Sequence, residues 1–346
     1  ADGLQRGLEA IERDAATLPR RPKVYFEEWD EPPITGIRWV AELVRIAGGD
    51  DIFPELAAQS LAKHRILAND DQIIARAPDI VETAHTFGEG LVGVLTRPAG
   101  QPNATAVVLL NAGLVQRVGP FRMYVQLARA LAAEGFVVFR FDQSGLGDSP
   151  VSSHAGEGRK RREAAAAMDL VARETGVRQY VLGGLCSAAD DAFNIAPDEK
   201  RVTGLLLLDG VAYTTFGYRV RYYLPRLLHP GKVLRAIGRL LRRRTSAGSD
   251  GIDANSFRDF PTQPEAVARL QALDARGASV FMLYTGGIER YYNHKRQARE
   301  CFGDVMRSPR MTTDYWVDCD HTFYARHHRQ RLMTAVVGWM KARYTG

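Results

Sequence analysis

The stretch Gly184-Leu185-Cys186-Ser187-Ala188 decides how the rest of this chain folds. It follows directly on an apolar run, residues Tyr180–Gly184, whose length and composition predict a buried strand. A cysteine flanked at two residues on either side by small residues, placed directly after a strand, is typical of a sharp strand-to-helix turn. Such a turn lifts one nucleophilic side chain above a parallel sheet.

Two adjacent residues could be the nucleophile on this turn, and the sizes of their neighbours distinguish them. The backbone of the turn is crowded, so the residues two before and two after the nucleophile must be small. For Cys186 these residues are Gly184 and Ala188, whereas Ser187 would require Leu185 to fit in the crowded position. The sequence therefore predicts Cys186 as the nucleophile. A thiol at a helix N-terminus is also favoured as a thiolate by the helix dipole.

Strands and helices alternate on both sides of this turn. Alternation of this kind predicts an α/β fold with a mostly parallel sheet and helices on both faces. The predicted strands are Gly90–Leu95, Ala104–Leu110, Phe136–Phe141, Tyr180–Gly184, Val202–Leu208, Ser279–Tyr284 and Thr313–Val317. The predicted helices are Phe121–Ala133, Arg159–Glu174 and Arg331–Arg343. Residues 213–256 interrupt the alternation, and their leucine-rich pattern predicts a helical lid.

A histidine that could serve as the base follows the last predicted strand. After Val317 and before the C-terminal helix comes the segment Asp318-Cys319-Asp320-His321-Thr322-Phe323. A base in this position can reach a nucleophile that lies at the same edge of the sheet. We therefore expect His321 to pair with Cys186, because the other histidines lack this context.

The carboxylate that orients the histidine has two candidates. The acid usually follows the penultimate strand, which makes Glu289 the preferred residue, and the order Cys186, Glu289, His321 matches the nucleophile-acid-histidine order of this arrangement. The alternative is Asp209, which directly follows the strand Val202–Leu208.

Backbone amides near the nucleophile would stabilise the oxyanion that forms during acyl transfer. One donor is expected from Ser187, the residue after the nucleophile. The second is expected from the loop Asn111-Ala112-Gly113-Leu114, with Leu114 preferred and Gly113 next. The glycine-rich turn Asp142–Ser149 lacks the Lys and Ser/Thr ending of a phosphate-binding loop, so it is interpreted as structural.

Residues 83–346 resemble the α/β-hydrolase superfamily, particularly its bacterial serine-aminopeptidase-like and exosortase-associated members. The resemblance depends on Leu110–Gly113, Arg117–Pro120, Phe141–Ser149 and Gly184–Asp190. It implies an α/β-hydrolase fold with a nucleophile, an acid and a histidine. Most members use serine, and the cysteine in this chain is similar to that of dienelactone-hydrolase-like members. A thiolate nucleophile suits esters and thioesters better than amides.

The first 81 residues have a different character. They resemble part of a lobe of the periplasmic substrate-binding proteins that serve cobalamin and siderophore transporters, through Val24–Asp30, Gly36–Val40, Ala47–Asp50 and Pro78–Val81. The pattern predicts helices over 3–18, 37–47 and 70–77, a strand over 23–27 and a further strand beginning at residues 79–81. The boundary between the two parts is expected near Glu82, so we interpret the chain as a fusion of residues 1–81 with a domain over 82–346.

Composition sets the remaining expectations. The 346 residues carry a net charge of +6, with a basic cluster at Arg221, Arg226, Lys232, Arg235, Arg239 and Arg242–Arg244. This cluster is compatible with a solvated helix face, or with an anionic group such as CoA or a carrier protein on the acyl substrate. The three cysteines are too few and too poorly spaced for a disulfide framework or a zinc site, and no cofactor is expected.

The sequence favours hydrolysis of an ester or thioester through an acyl-enzyme on Cys186. Acyl transfer to an alcohol or amine, or a fusion protein that binds cobalamin or a siderophore, are the alternatives. No apolar run is long enough to span a membrane and no signal peptide is evident, so a bacterial cytoplasmic location is expected, although the N-terminal resemblance is to periplasmic proteins. No partner nucleic acid is expected, and the oligomeric state is not predicted.

Overall fold

The computed structural model describes residues 2–18, 21–30, 33–68, 80–154, 156, 158–227, 258 and 260–345. The chain divides into two compact units, one of Ala1–Glu82 with Arg97–Gln101 and one of Thr83–Thr96 with Pro102–Gly346. The helix predicted over 70–77 and most of the lid predicted over 213–256 lie outside the described residues.

The first unit contains short elements around a small core. Its helices are α1 (Asp2–Ala15), α2 (Arg38–Ile46) and α3 (Pro54–Ala57), and its strands are β1 (Lys23–Val24), β2 (Glu27–Asp30), β3 (Pro33–Thr35) and β4 (Asp50–Asp51). Strand β1 pairs with β4 in parallel, and β2 pairs with β3 in antiparallel orientation. The single strand predicted over 23–27 is therefore wrong, because the chain changes its pairing partner after Val24.

The second unit is built on an eight-stranded sheet that contains all seven predicted strands. The strands are β5 (Ile80–Phe87), β6 (Leu91–Pro98), β7 (Thr105–Leu109), β8 (Val137–Phe141), β9 (Gln179–Leu185), β10 (Val202–Leu208), β11 (Ser279–Thr285) and β12 (Met311–Trp316). Their order is β12-β11-β10-β9-β7-β8-β6-β5, and β6 runs antiparallel to β8, whereas β7 to β12 are parallel. If β5 is numbered as strand 1 and the others follow in chain order, the spatial order is 1-2-4-3-5-6-7-8, which is that of the α/β-hydrolase fold. The sequence predicted this fold.

Helices cover both faces of this sheet. The helices of this unit are α4 (Met123–Ala132), α5 (Arg159–Thr175), α6 (Ser187–Ile195), α7 (Phe216–Leu227), α8 (Gln263–Ala275), α9 (Gln297–Phe302) and α10 (Arg326–Tyr344). One core joins one face of the sheet to α5, α6, α8 and α9, and a second core joins the opposite face to α4 and α10. No helix among the described ranges is both long enough and apolar enough to cross a bilayer.

Helix α8 has no counterpart among the predicted helices. Its apolar residues form no clear stripe, but Thr262 and Glu265 form a reciprocal capping box and Pro264 lies in the first turn. These end signals, rather than periodicity, mark the helix in the sequence.

The carboxylate of Asp142 connects the turn after β8 to the loop after β7. It is fully buried and accepts hydrogen bonds from the side chain of Asn111 at 3.2 Å and from the amide of Arg117 at 2.6 Å. It also forms an ion pair with the guanidinium of Arg117, which reaches Asp148 at 2.6 Å as well. The turn after β8 thus has the structural role predicted for it, because it fixes the loop after β7.

Replacement of Asp142 by asparagine should destabilise the second unit strongly. The change removes the buried charge that accepts from the amide and guanidinium of Arg117, and loss of a hydrogen bond to a charged group costs about 1.5–3 kcal/mol. Urea denaturation of the full chain would give the change in free energy of unfolding.

Asp148→Asn is the matched control, because the same arginine pairs with Asp148 near solvent, where the aspartate side chain is 63% exposed. An exposed ion pair contributes about 0–1 kcal/mol. Equal losses in the two variants would contradict the role given to Asp142.

Candidate active site

Cys186 lies at the tip of the turn between β9 and α6. Its backbone has φ +59° and ψ −122°, a strained conformation that few residues other than glycine adopt. Its amide donates to the carbonyl of Leu208 at 2.8 Å, which holds the turn against the neighbouring strand. A Cβ atom on Gly184 would lie 2.6 Å from the Cβ atom of Ala188, so the first flanking position has no room for a side chain.

His321 and Asp209 lie beside this turn. The Nδ1 atom of His321 lies 2.7 Å from Oδ2 of Asp209, and the carboxylate is fully buried. This contact places a proton on Nδ1. In the neutral ring, Nε2 is then the nitrogen that can accept a proton. His321 is also the neighbour that most strongly lowers the pKa of the Cys186 thiol. The three side chains therefore form one series, in which His321 bonds to Asp209 and acts on Cys186.

The preferred acid, Glu289, does not occupy this position. Residues Gly286–Ile288 form a tight 3-10 turn after β11, and the turn leaves Glu289 exposed at its end. The alternative candidate, Asp209, is the carboxylate that contacts His321. The expectation for Glu289 is corrected because the turn leaves Glu289 exposed, whereas the buried carboxylate of Asp209 contacts the histidine.

The end of β11 instead supports the histidine loop through its backbone. A Cβ atom on Gly286 would lie 2.1 Å from the carbonyl oxygen of Val317, and one on Gly287 would lie 2.2 Å from the amide nitrogen of His321. The two glycines therefore allow the loop to lie directly on the strand end.

Asp209 is held from three sides. Its carboxylate accepts hydrogen bonds from the amide and the hydroxyl of Thr285, both at 2.7 Å, in addition to the contact with His321. Its backbone has φ +50°, and its carbonyl accepts hydrogen bonds from Arg258 at 2.9 Å and from the hydroxyl of Tyr291 at 3.2 Å. These bonds stabilise both the buried charge and the strained backbone.

Arg258 and Asp190 form a buried ion pair next to the site. Two nitrogens of the guanidinium donate to the Asp190 carboxylate at 2.7 and 3.0 Å, and the two side chains are 5% and 1% exposed. Burial raises the pKa of Asp190 to about 6, against the opposing effect of Arg258. No sequence motif marks this arginine.

The electrostatic surroundings favour a thiolate paired with an imidazolium. Burial opposes ionisation of Cys186, but the hydrogen bond with His321 and the charge of Arg258 outweigh it and lower the pKa of the thiol. Burial also opposes the charged form of His321, but hydrogen bonds with Asp209 and Cys186 outweigh it and raise its pKa. Burial raises the pKa of Cys301 to about 11 and that of Cys319 to about 12, so Cys186 differs from both.

The loop after β7 brings a backbone amide to the turn. The amide of Gly113, at φ +57°, donates to Oγ of Ser187 at 2.8 Å. Leu114 follows and is 89% exposed. The structure therefore places Gly113, the second choice from the sequence, against the residue that follows the nucleophile.

The predicted lid begins with α7, and the rest of it lies outside the described residues. Of the basic cluster, Arg221 pairs with Glu300 at 2.8 Å. Lys232, Arg235, Arg239 and Arg242–Arg244 are not described.

No protein-family model and no curated protein matches the chain. Solved structures do match it. An esterase from Pyrococcus furiosus is 11% identical with a TM-score of 0.49, over 77% of this chain and 91% of that one. The esterase domain of a Rhodothermus marinus protein is 14% identical with a TM-score of 0.47, over 77% and 100%. A dienelactone hydrolase from Anabaena variabilis is 12% identical with a TM-score of 0.46, over 77% and 99%. The fold assignment depends on the strand order and not on these similarities.

Replacement of Asp209 by asparagine should lower kcat for a hydrolysed acyl ester by about 10²–10⁴-fold, because the amide no longer fixes the tautomer of His321 or stabilises its charge. Steady-state kinetics with a chromogenic ester would measure the loss.

Glu289→Gln is the matched control, since it changes a carboxylate to an amide at the exposed position. We expect its activity to remain within about twofold of the parent, as for other surface changes. A large loss in this variant with little loss in Asp209→Asn would restore Glu289 as the acid.

The rate of alkylation of Cys186 should report the charge of Arg258. Only the thiolate reacts, so the rate with iodoacetamide falls as the pH drops through the pKa of the thiol. Removal of the positive charge in Arg258→Gln raises that pKa and moves the midpoint of the rate profile to higher pH. Besides Arg258, His321, Tyr124 and Tyr291 are described ionisable groups that act on this thiol.

A second variant separates the charge effect from misfolding. Arg258→Gln alone leaves Asp190 buried without its partner, at a cost of about 3–5 kcal/mol, whereas Arg258→Gln with Asp190→Asn removes both charges. The double variant should be the more stable of the two and should still show the displaced midpoint. An unchanged profile in the folded double variant would exclude an effect of Arg258 on the thiol.

Proposed function

We propose that the protein hydrolyses an ester or thioester through a covalent acyl-enzyme on Cys186. The observation that carries the proposal is the series formed by Cys186, His321 and Asp209, with the cysteine on a strained turn at a helix N-terminus. Acyl transfer of this kind requires a nucleophile, a base beside it and an acid that orients the base.

The reaction begins with attack of the Cys186 thiolate on the acyl carbonyl. The negative charge that develops on the carbonyl oxygen is stabilised by backbone amides, for which we assign Ser187 and Gly113. The hydroxyl of Ser187 accepts the hydrogen bond of the Gly113 amide, so it has to turn away when that amide binds the oxyanion.

His321 then moves the protons. As an imidazolium, it donates a proton to the leaving alcohol or thiol, which leaves the acyl group on Cys186. The neutral imidazole next removes a proton from water, and the hydroxide attacks the thioester and releases a carboxylic acid. Asp209 stays ionised and stabilises the imidazolium in both steps.

For the substrate, we propose an apolar acyl group that carries an anionic portion, such as a CoA or carrier-protein thioester. The described start of the insertion, α7, has exposed apolar side chains at Phe216, Tyr223 and Leu224, and Arg219 lies among them. Apolar and cationic groups on one segment suit an acyl chain and an anion together. The three reacting side chains all belong to the second unit, so we propose that residues 1–81, as an appended substrate-binding-protein-like segment, take no part in the acyl chemistry.

An acyl-ester activity probe tests the nucleophile directly. The full-length protein is treated with the probe and digested, and the labelled residue is located by mass spectrometry. We expect the label on Cys186, and we expect Cys186→Ala to lose the label together with at least about a thousandfold in kcat.

Ser187→Ala is the matched control, because it alters the neighbouring residue and leaves the thiol in place. Its label should remain on Cys186. A label on Ser187, or labelling that survives Cys186→Ala, would overturn the proposal. Product analysis in the presence of an alcohol or amine then distinguishes hydrolysis from acyl transfer.

A further inference from the structure

We propose that Cys319, Asp320 and His328 bind a zinc ion beside the loop that carries the base. This site is separate from the acyl chemistry and does not depend on the proposed function. The spacing of the three cysteines predicted no metal site, but two of the donors proposed here are an aspartate and a histidine.

The donor atoms of the three side chains lie close together. One potential ligand atom from each residue falls within 4.8 Å of those of the other two. Tetrahedral zinc with bonds of about 2.0–2.3 Å holds its ligand atoms roughly 3.5 Å apart, so closure by about 1 Å is needed. A thiolate, an imidazole and a carboxylate are the ligands that zinc uses in proteins, and water can occupy the fourth position.

The ring of His328 points to a ligand independently. His328 is 5% exposed, and its Nδ1 atom has no hydrogen-bond partner among the described residues. Its Nε2 atom lies 3.2 Å from Oδ2 of Asp318, and a carboxylate can only accept, so Nε2 carries a proton. In the neutral ring, Nδ1 then offers a buried lone pair without a donor to satisfy it.

This arrangement is also the one that metal-binding histidines use. Such a histidine donates its second ring N–H to a carboxylate, which fixes the tautomer and strengthens the metal bond. Asp318 supplies that carboxylate, and its side chain is 60% exposed. The histidine is therefore oriented before any metal arrives.

The carboxylate of Asp320 and the thiol of Cys319 supply the other two donors. Oδ1 of Asp320 accepts hydrogen bonds from the amide and hydroxyl of Thr322 and from the amide of Tyr324, whereas Oδ2 has one bond, from Tyr324 at 2.9 Å. Oδ2 thus retains a lone pair. Cys319 is a buried thiol, and zinc would displace its proton to solvent.

The three proposed zinc ligands lie on either side of the base in the chain. Cys319 and Asp320 directly precede His321, and His328 lies in the first turn of α10. A metal bound to the three residues would tie the loop to the helix that follows it, on either side of the histidine.

Cobalt(II) titration tests the site, since cobalt occupies zinc sites and a cobalt-thiolate bond gives a strong charge-transfer absorption. The experiment uses full-length Cys186→Ala protein, which removes the thiol paired with His321. We expect the absorption to appear with a single equivalent of cobalt and to vanish when zinc is added. Protein that is folded by circular dichroism but shows no absorption would overturn the proposal.

Three further changes in that background locate the metal. Cys319→Ala should abolish the absorption, and Cys301→Ala, which removes the other buried thiol, should leave it unchanged. Asp318→Asn, at an exposed position, should weaken binding by about 10–100-fold and keep the absorption, as loss of a carboxylate behind a ligand histidine does. Absorption that survives Cys319→Ala, or an unchanged affinity in Asp318→Asn, would place the metal elsewhere.

Discussion

The carboxylate of Asp209 joins three parts of the sheet edge in one buried charge. A carboxylate removed from water destabilises a fold unless hydrogen bonds replace its hydration. Here the replacements come from Thr285 at the end of β11 and from His321 in the loop after β12, while the residue itself ends β10. The need to satisfy this one charge therefore fixes the ends of two strands and the base relative to each other.

A second buried pair supports the first. Arg258 neutralises Asp190 and also donates to the carbonyl of Asp209, so the positive charge secures the backbone of the acid without competing for its carboxylate. The same charge favours the thiolate form of Cys186. Buried ion pairs contribute little net stability, because desolvation offsets the attraction. Here the pair instead positions the backbone of Asp209 and lowers the pKa of the Cys186 thiol.

Much of this organisation could be read from the sequence, and its limits have physical causes. The central strands were predictable because they are short apolar runs bounded by turn residues, and Gly184 and Ala188 were informative because steric crowding at the turn depends on adjacent residues. The choice between Glu289 and Asp209 depends on which carboxylate reaches the ring of His321. That is a relation between residues distant in the chain.

Three further features show the limits of periodicity and spacing in the sequence. Arg258 occupies no recognisable pattern, since its hydrogen-bond partners Asp190, Asp209 and Tyr291 come from three separate segments. Helix α8 has little periodicity, and only its capping box and proline mark it. Cys319 and His328 are likewise brought together by the turn before α10, so counting cysteines could not reveal them.

The contact between Gly286–Gly287 and the histidine loop has a consequence for mutational tolerance. Because the loop lies on the strand backbone itself, its height above the sheet does not depend on the volume of any intervening side chain. Apolar residues of the surrounding core can therefore change in size over evolution without displacing the histidine, whereas a single methyl group at either glycine would push it away. The geometry of the site is robust to drift in the core and fragile at two positions that carry no side chain.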